Sequence, residues 1–283
     1  MRRRTFLKGL GILSGSSLSI ATSWAQERAS DNRPVGVLVD TTHCLGCRRC
    51  EMACADAHGL PKPEFDPKTG YDSVRTTSVV QWTAVNRYQT DTGKLYVKRQ
   101  CMHCSQPACV AACPTKAMYK TPQGPVIWRG AKCMGCRYCM ISCPFDVPKF
   151  EFGSAVPRIQ KCILCFDRLE KGEQPACVQH CVGKALVFGS RDELMDTAKE
   201  RIYQNPKKYY HHIYGENEVG GTGWFYISPV PFEQIGFRTD LGTTAYPEYT
   251  KQFLYSVPVV LLLWPAMLLA LNKATEKEEE RES

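Results

Sequence analysis

Residues 101–144 begin Cys-Met-His-Cys-Ser-Gln-Pro-Ala-Cys-Val-Ala-Ala-Cys-Pro and, after a short apolar stretch, end Cys-Met-Gly-Cys-Arg-Tyr-Cys-Met-Ile-Ser-Cys-Pro. Eight of the sixteen cysteines of this 283-residue chain stand here. In the second run two residues separate Cys133 from Cys136 and Cys136 from Cys139, three precede Cys143, and Pro144 follows. The first run sets Cys101, Cys104, Cys109 and Cys113 in the same order with a wider second gap. Farther out, Cys44, Cys47, Cys50 and Cys54 repeat the compact spacing, with Ala55 in place of the proline. Cys162, Cys165, Cys177 and Cys181 repeat it with eleven residues between the second and third members, and Val182 in the proline position. No cysteine is left over.

The compact spacing is that of a [4Fe–4S] ligand loop. Three thiolates on one tight loop reach three irons of a cubane, while a fourth cysteine, opening the next helix, is too far away to close the same corner. In tandem runs that fourth cysteine serves the other cluster. The spacing therefore predicts four [4Fe–4S] clusters with crossed ligation. Cys101, Cys104, Cys109 and Cys143 hold one, and Cys133, Cys136, Cys139 and Cys113 a second. Cys44, Cys47, Cys50 and Cys181 hold a third, and Cys162, Cys165, Cys177 and Cys54 the fourth. Structural zinc is the first competing reading, but zinc needs only two CxxC pairs per site and leaves the other cysteines of each run unexplained. Disulfides are the second, yet a chain of this length and hydrophobic content does not need such staples.

Short β-like runs lead into the motifs at Val35–Asp40 and Leu95–Lys98, and Met118–Trp128 reads as a hairpin turning at Pro122–Gly124. Repeats of short strand, cysteine loop and helix predict an α+β fold. It consists of two ferredoxin-like modules, one inserted in the other, within residues 35–189. The central module spans about 95–152, and the outer one is assembled from 35–58 and 158–189. Residues 59–94 carry few regular signals and read as an insertion covering the clusters or meeting a partner. A C-terminal extension, 190–250, opens with a helix whose Ser190 and Glu193 form a capping box ahead of Leu194, Met195, Ala198 and Ile202. Its remainder is aromatic and glycine-rich. His211 and His212 there are poor evidence for a metal, and His43, His58, His103 and His180 read as hydrogen-bonding neighbours of the clusters.

Residues 1–25 read as a targeting segment. Arg3-Arg4-Thr5-Phe6-Leu7-Lys8 matches a twin-arginine export signal, and a weakly apolar stretch follows to Trp24 and Ala25. The formal charge of +8 falls to +4 without that segment. Four clusters, each about −2 with its thiolates when oxidised, outweigh the remainder. Nucleic-acid binding is therefore not indicated, and Arg48, Arg49, Lys98, Arg99, Lys132, Arg137 and Lys161 read as balancing cluster charge or facing solvent. Phe253–Leu271 is uncharged and, as a helix, about 28 Å long, which reads as a transmembrane anchor despite Pro258 and Pro265. The tail, 272–283, is charged and reads as disordered.

The four groups in this order, with the wide gap in the last, resemble the four-cluster iron–sulfur subunits of the dimethyl-sulfoxide-reductase and formate-dehydrogenase class. Gln-Cys-Met-His-Cys at 100–104, Gly-Cys-Arg-Tyr-Cys-Met at 135–140, His-Ile-Tyr-Gly-Glu at 212–216, the export signal and the single C-terminal anchor are similar to the hydrogenase-2 branch. The resemblance implies a non-catalytic electron-transfer subunit on the periplasmic side of the inner membrane. Its partners would be a catalytic oxidoreductase subunit, a NiFe hydrogenase or a molybdopterin enzyme such as a formate dehydrogenase, and a polytopic quinone-reactive membrane subunit. A self-contained oxidoreductase with its active site in 205–250 is the contrasting expectation. No flavin, nickel or molybdopterin motif supports it.

Overall fold

The computed structural model describes residues 33–64 and 70–282. The twin-arginine segment lies outside the described residues. Strand β1 (Val35–Asp40) is the centre of a three-stranded sheet, antiparallel to β8 (Leu186–Ser190) and parallel to β9 (Trp224–Ile227). Both faces of the sheet are packed, and β1 and β9 are accordingly apolar along most of their length. Successive side chains still divide between the faces. Val37, Val39, Trp224 and Tyr226 enter a core shared with the cysteine loops. Leu38, Phe225 and Ile227 pack on the opposite side with Leu194, Met195 and Ala198 of α6 (Arg191–Gln204).

Strand β9 was not anticipated in the aromatic extension. Its backbone joins the sheet to the central motif, because Met102 O accepts from Gly223 N (3.0 Å) and Trp224 N (3.1 Å). The stretch expected to be irregular before the central motif also yields a strand. There β2 (Ala84–Thr90) forms a hairpin with β3 (Gly93–Arg99). Thr90 Oγ1 closes the turn onto Gly93 O at 2.7 Å. The expected hairpin is present as β4 (Met118–Lys120) and β5 (Val126–Trp128), and its tip reaches β1 through Val35 N to Gln123 O at 2.8 Å. Strands β6 (Lys149–Phe150) and β7 (Ile159–Gln160) make a last small ribbon.

Each motif feeds a short helix. These are α1 (Arg49–His58), α2 (Ala108–Ala111), α3 (Tyr138–Ile141), and the pair α4 (Phe166–Leu169) and α5 (Ala176–Gln179). Helix α1 packs against α5, and α2 against α3. Helix α6 begins at Ser190, but the expected capping box does not form. The buried Ser190 hydroxyl has no partner among the described residues, and Glu193 instead pairs with Arg33 at 3.0 Å. Pro34 O receives the first helical N–H, from Arg191, at 2.9 Å. The last helix, α7 (Tyr246–Glu282), starts before the apolar segment and touches α2. Its backbone stays helical through the tail that had been expected to be disordered.

The hairpin is locked to the first cysteine loop by one buried carboxylate. Glu51 accepts from Arg48 Nε (2.9 Å), Arg75 Nη2 (2.8 Å) and the backbone N–H of Val85 (2.5 Å). Removing one partner of such a network strands the others in a dry environment, a loss of about 3–5 kcal/mol. Glu51→Gln should therefore lower the thermal midpoint of the purified protein by several degrees and loosen the 71–90 segment in hydrogen exchange. Loss confined to local exchange, with an unchanged midpoint, would show that the network only trims the loop.

Candidate iron–sulfur centres

The compact loops owe their shape to left-handed backbone at two positions. Gly46 and Gly135 have φ of 68° and 74°, and the arginines following the second cysteine, Arg48 and Arg137, have 58° and 63°. At Gly46 a Cβ would sit 2.5 Å from the Tyr96 ring, so only glycine lets the loop close against β3. This winding turns backbone N–H groups toward sulfur. Gly46 N–H bonds to Cys44, Leu164 N lies 3.4 Å from Cys162 Sγ, and Met118 N lies 3.4 Å from Cys113 Sγ.

The chain gathers the cysteines into four sites. Site I is a small cavity lined by Cys44, Cys47, Cys50 and Cys181 together with Lys98. Site IV is a second one, lined by Cys113, Cys133, Cys136 and Cys139 together with Trp128 and Ile159. Site II is drawn by mutual electrostatics. Burial, then the charges of Cys162, Cys177 and Cys165, push the Cys54 thiol up. Site III follows the same pattern, with Cys104 raised by burial and then by Cys101, Cys143 and Cys109. Each quartet takes three members from one run and one from another.

Consecutive sites also feel one another. Beyond its own quartet, buried Cys50 of site I is raised by the charge of Cys177 of site II. Burial pushes Cys162 of site II up to about 12, and Cys101 of site III adds to the rise. Cys109 of site III, also brought to about 12 chiefly by burial, senses Cys139 of site IV.

The donor set fits [4Fe–4S] clusters and fits a single ion poorly. Tetrahedral zinc brings its sulfurs to about 3.8 Å apart at a Zn–S distance of about 2.3 Å. Among the described residues no three Cys, His, Asp or Glu side chains converge on one ion; the sulfurs of sites I and IV instead line cavities. None of the sixteen cysteines is in a disulfide. Burial and mutual repulsion raise most of them, so a strongly cationic guest is needed before they ionise together. His103 makes a further match. Its Nδ1 accepts from Val126 N at 2.8 Å, which leaves Nε2 carrying the proton, buried and without a partner among the described residues. A donor left over between Cys101 and Cys104 suits an acceptor-rich guest such as a sulfide-containing cluster.

The histidines otherwise behave as neighbours. His58 Nε2 lies 3.3 Å from Cys165 Sγ, with its ring against Trp82, and burial lowers its pKa so that it is neutral and can donate to a thiolate. His211 bonds to Pro206 O at 2.9 Å, and His212 pairs with Glu218 at 2.6 Å. Trp224, in the same 205–250 region, is fully buried.

Residues 93–191 match the family model of the 4Fe-4S dicluster domain. The chain is 44% identical to a protein of Nitratidesulfovibrio vulgaris over 99% of its own length and 78% of that relative. It is 35% identical to the hydrogenase-2 operon protein HybA of Escherichia coli O157:H7, over 100% of this chain and 98% of HybA. It is 34% identical to the iron-sulfur subunit of the nitrate-inducible formate dehydrogenase of E. coli K12, over 68% of this chain and 67% of that subunit. With the cysteine sites and near full-length likeness to HybA together, the chain belongs to the family of 4Fe–4S electron-transfer subunits that includes HybA and the formate dehydrogenase iron-sulfur subunits.

Proposed function

We propose that the protein relays electrons through four [4Fe–4S] clusters held by sites I to IV, between a periplasmic catalytic subunit and a quinone-reactive membrane subunit. The observation that carries this reading is the gathering of cysteines from separate runs, with Cys181 joining Cys44, Cys47 and Cys50 at one cavity and Cys113 joining Cys133, Cys136 and Cys139 at another. A [4Fe–4S] cluster, when bound, supplies one-electron chemistry whose potential depends on burial, nearby charge and hydrogen bonds to sulfur. The chain contributes the ligands, their spacing and that environment. Sites I and II with β1, β8, α1 and α5 form the outer module, and sites III and IV the inserted central one. The pairing of β1 with β8 and the packing of α2 on α3 support this nesting.

Tyr246–Lys273 is long and apolar enough to cross a membrane, with a mean hydropathy of 2.1. Tyr246, Pro247 and Glu248 in its first turn are partly buried, and the helix touches α2, which carries Cys109. This supports a relay with sites III and IV toward the membrane and site I toward the catalytic partner. The likeness to HybA favours a hydrogenase as that partner. The formate dehydrogenase relatives keep a molybdopterin enzyme as the second reading. The twin-arginine motif supports export, with the body on the periplasmic side.

Purification from membranes in mild detergent through a C-terminal tag tests the assignment. The reading expects a nickel–iron large subunit and a polytopic membrane protein in the eluate. A molybdopterin subunit would move the protein to the formate dehydrogenase branch, and turnover by the isolated chain would overturn the relay. The His58 contact makes a second prediction. A hydrogen bond to a ligand sulfur favours the reduced, more negative cluster, so His58→Phe should make one midpoint potential more negative in an EPR-monitored titration. Four unchanged potentials would show the contact to be without effect.

A further inference from the structure

Lys98 is 2% exposed, a position in which lysine is rarely found without a counter-charge. Its ammonium bonds to Gln100 Oε1 at 2.8 Å and lies 4.4 Å from the centre of the Trp224 ring. Gln100 is fixed in turn by Tyr226, whose hydroxyl takes Gln100 Nε2 at 2.7 Å and returns a bond to Lys98 O at 3.0 Å. Among the described residues no carboxylate forms an ion pair with it. The groups whose negative charge would favour the Lys98 ammonium are Cys50 of site I, Cys162 and Cys177 of site II, and Tyr226. Lys98 lines the cavity of site I directly. Burial opposes its charge, and negative charge on those sulfurs favours it. The Lys98 charge draws down the thiols of Cys44, Cys50, Cys54, Cys162 and Cys165.

We propose that Lys98 is a buried cationic bridge between sites I and II, raising both of their reduction potentials together and offsetting the repulsion between the two reduced centres. The inference rests on the reading that these sites hold [4Fe–4S] clusters. The physical reason is simple. An ammonium in a dry setting acts over several ångströms with little screening, and reduction adds one negative charge to a centre on either side of it. The Gln100–Tyr226–Trp224 frame gives the ammonium a fixed position without cancelling its charge, as a carboxylate partner would. Lys98 is thus a positioning and tuning residue, and it ligates nothing.

The test uses the full-length, cluster-loaded protein and the variants Lys98→Met, Lys98→Gln and Lys98→Arg. Iron and acid-labile sulfide are measured first, then midpoint potentials by EPR. With wild-type iron content, the neutral variants should show two of four potentials more negative by at least a tenfold change in the oxidised-to-reduced ratio, about 59 mV for one electron. The other two should stay in place, and Lys98→Arg should hold all four near wild type. Neutral variants that fail to load while Lys98→Arg loads would also support the charge role. Unchanged potentials in a fully loaded neutral variant would overturn the proposal and leave the cluster reading intact. So would failure of all three variants to load, which would assign the side chain to packing. Absence of iron from the wild-type protein would defeat the underlying reading instead.

Discussion

Repulsion among thiolates crowded four to a site is the constraint on which the rest of the structure depends. Most of the cysteines are pushed well above a free thiol by burial and by one another, so the fold holds a set of ligands that cannot ionise together unaided. Three features answer that repulsion locally. Left-handed turns at Gly46, Arg48, Gly135 and Arg137 bring amide N–H groups to the sulfurs. Buried lysines supply positive charge, with Lys98 between sites I and II and Lys161 close to Cys109 and Cys143 of site III. A sheet buried on both faces and two hairpins hold the loops in register, so that one cysteine of each run crosses to the neighbouring site.

Much of the candidate site was legible because ligand-loop geometry is local. Two-residue gaps and a fourth cysteine at the following helix carry their own spatial consequence, and in the structure Cys181 joins Cys44, Cys47 and Cys50 at one cavity and Cys113 joins Cys133, Cys136 and Cys139 at another. Strand β1, the β4–β5 hairpin and helix α6 were legible for the same reason, since each has its periodicity or turn within a few residues. What the sequence did not disclose depends on distant pairing. Trp224–Ile227 is a four-residue apolar run with no readable period, and it becomes a strand only because Val37 to Asp40 offers a parallel edge nearly two hundred residues earlier. Strand β2 is hidden behind a threonine- and proline-rich approach, and Glu51 reaches into it from another element. The capping box had the right letters at Ser190 and Glu193, but Arg33 took the carboxylate and Pro34 the first amide. Lys98 was visible as a basic residue near the motifs. Its full burial and its place between two sites come from packing alone.

The extension after the last motif is tied into the rest of the chain by pairing and packing. It closes the sheet with β9, seats Trp224 and Tyr226 around Lys98, and leads into the helix that meets the central module. One segment thus links the environment of sites I and II to the apolar helix beside sites III and IV. The chain's two ends of the relay are therefore held by a continuous packed body.

The most direct measurement is the content of iron and acid-labile sulfide per chain in the full-length protein, purified without oxygen and quantified against amino-acid analysis. Four filled quartets predict about sixteen of each, with all sixteen cysteines protected from alkylation until the clusters are removed. A protein that carries about eight of each and leaves one complete pair of sites open to alkylation, or that carries zinc without sulfide, would contradict the account.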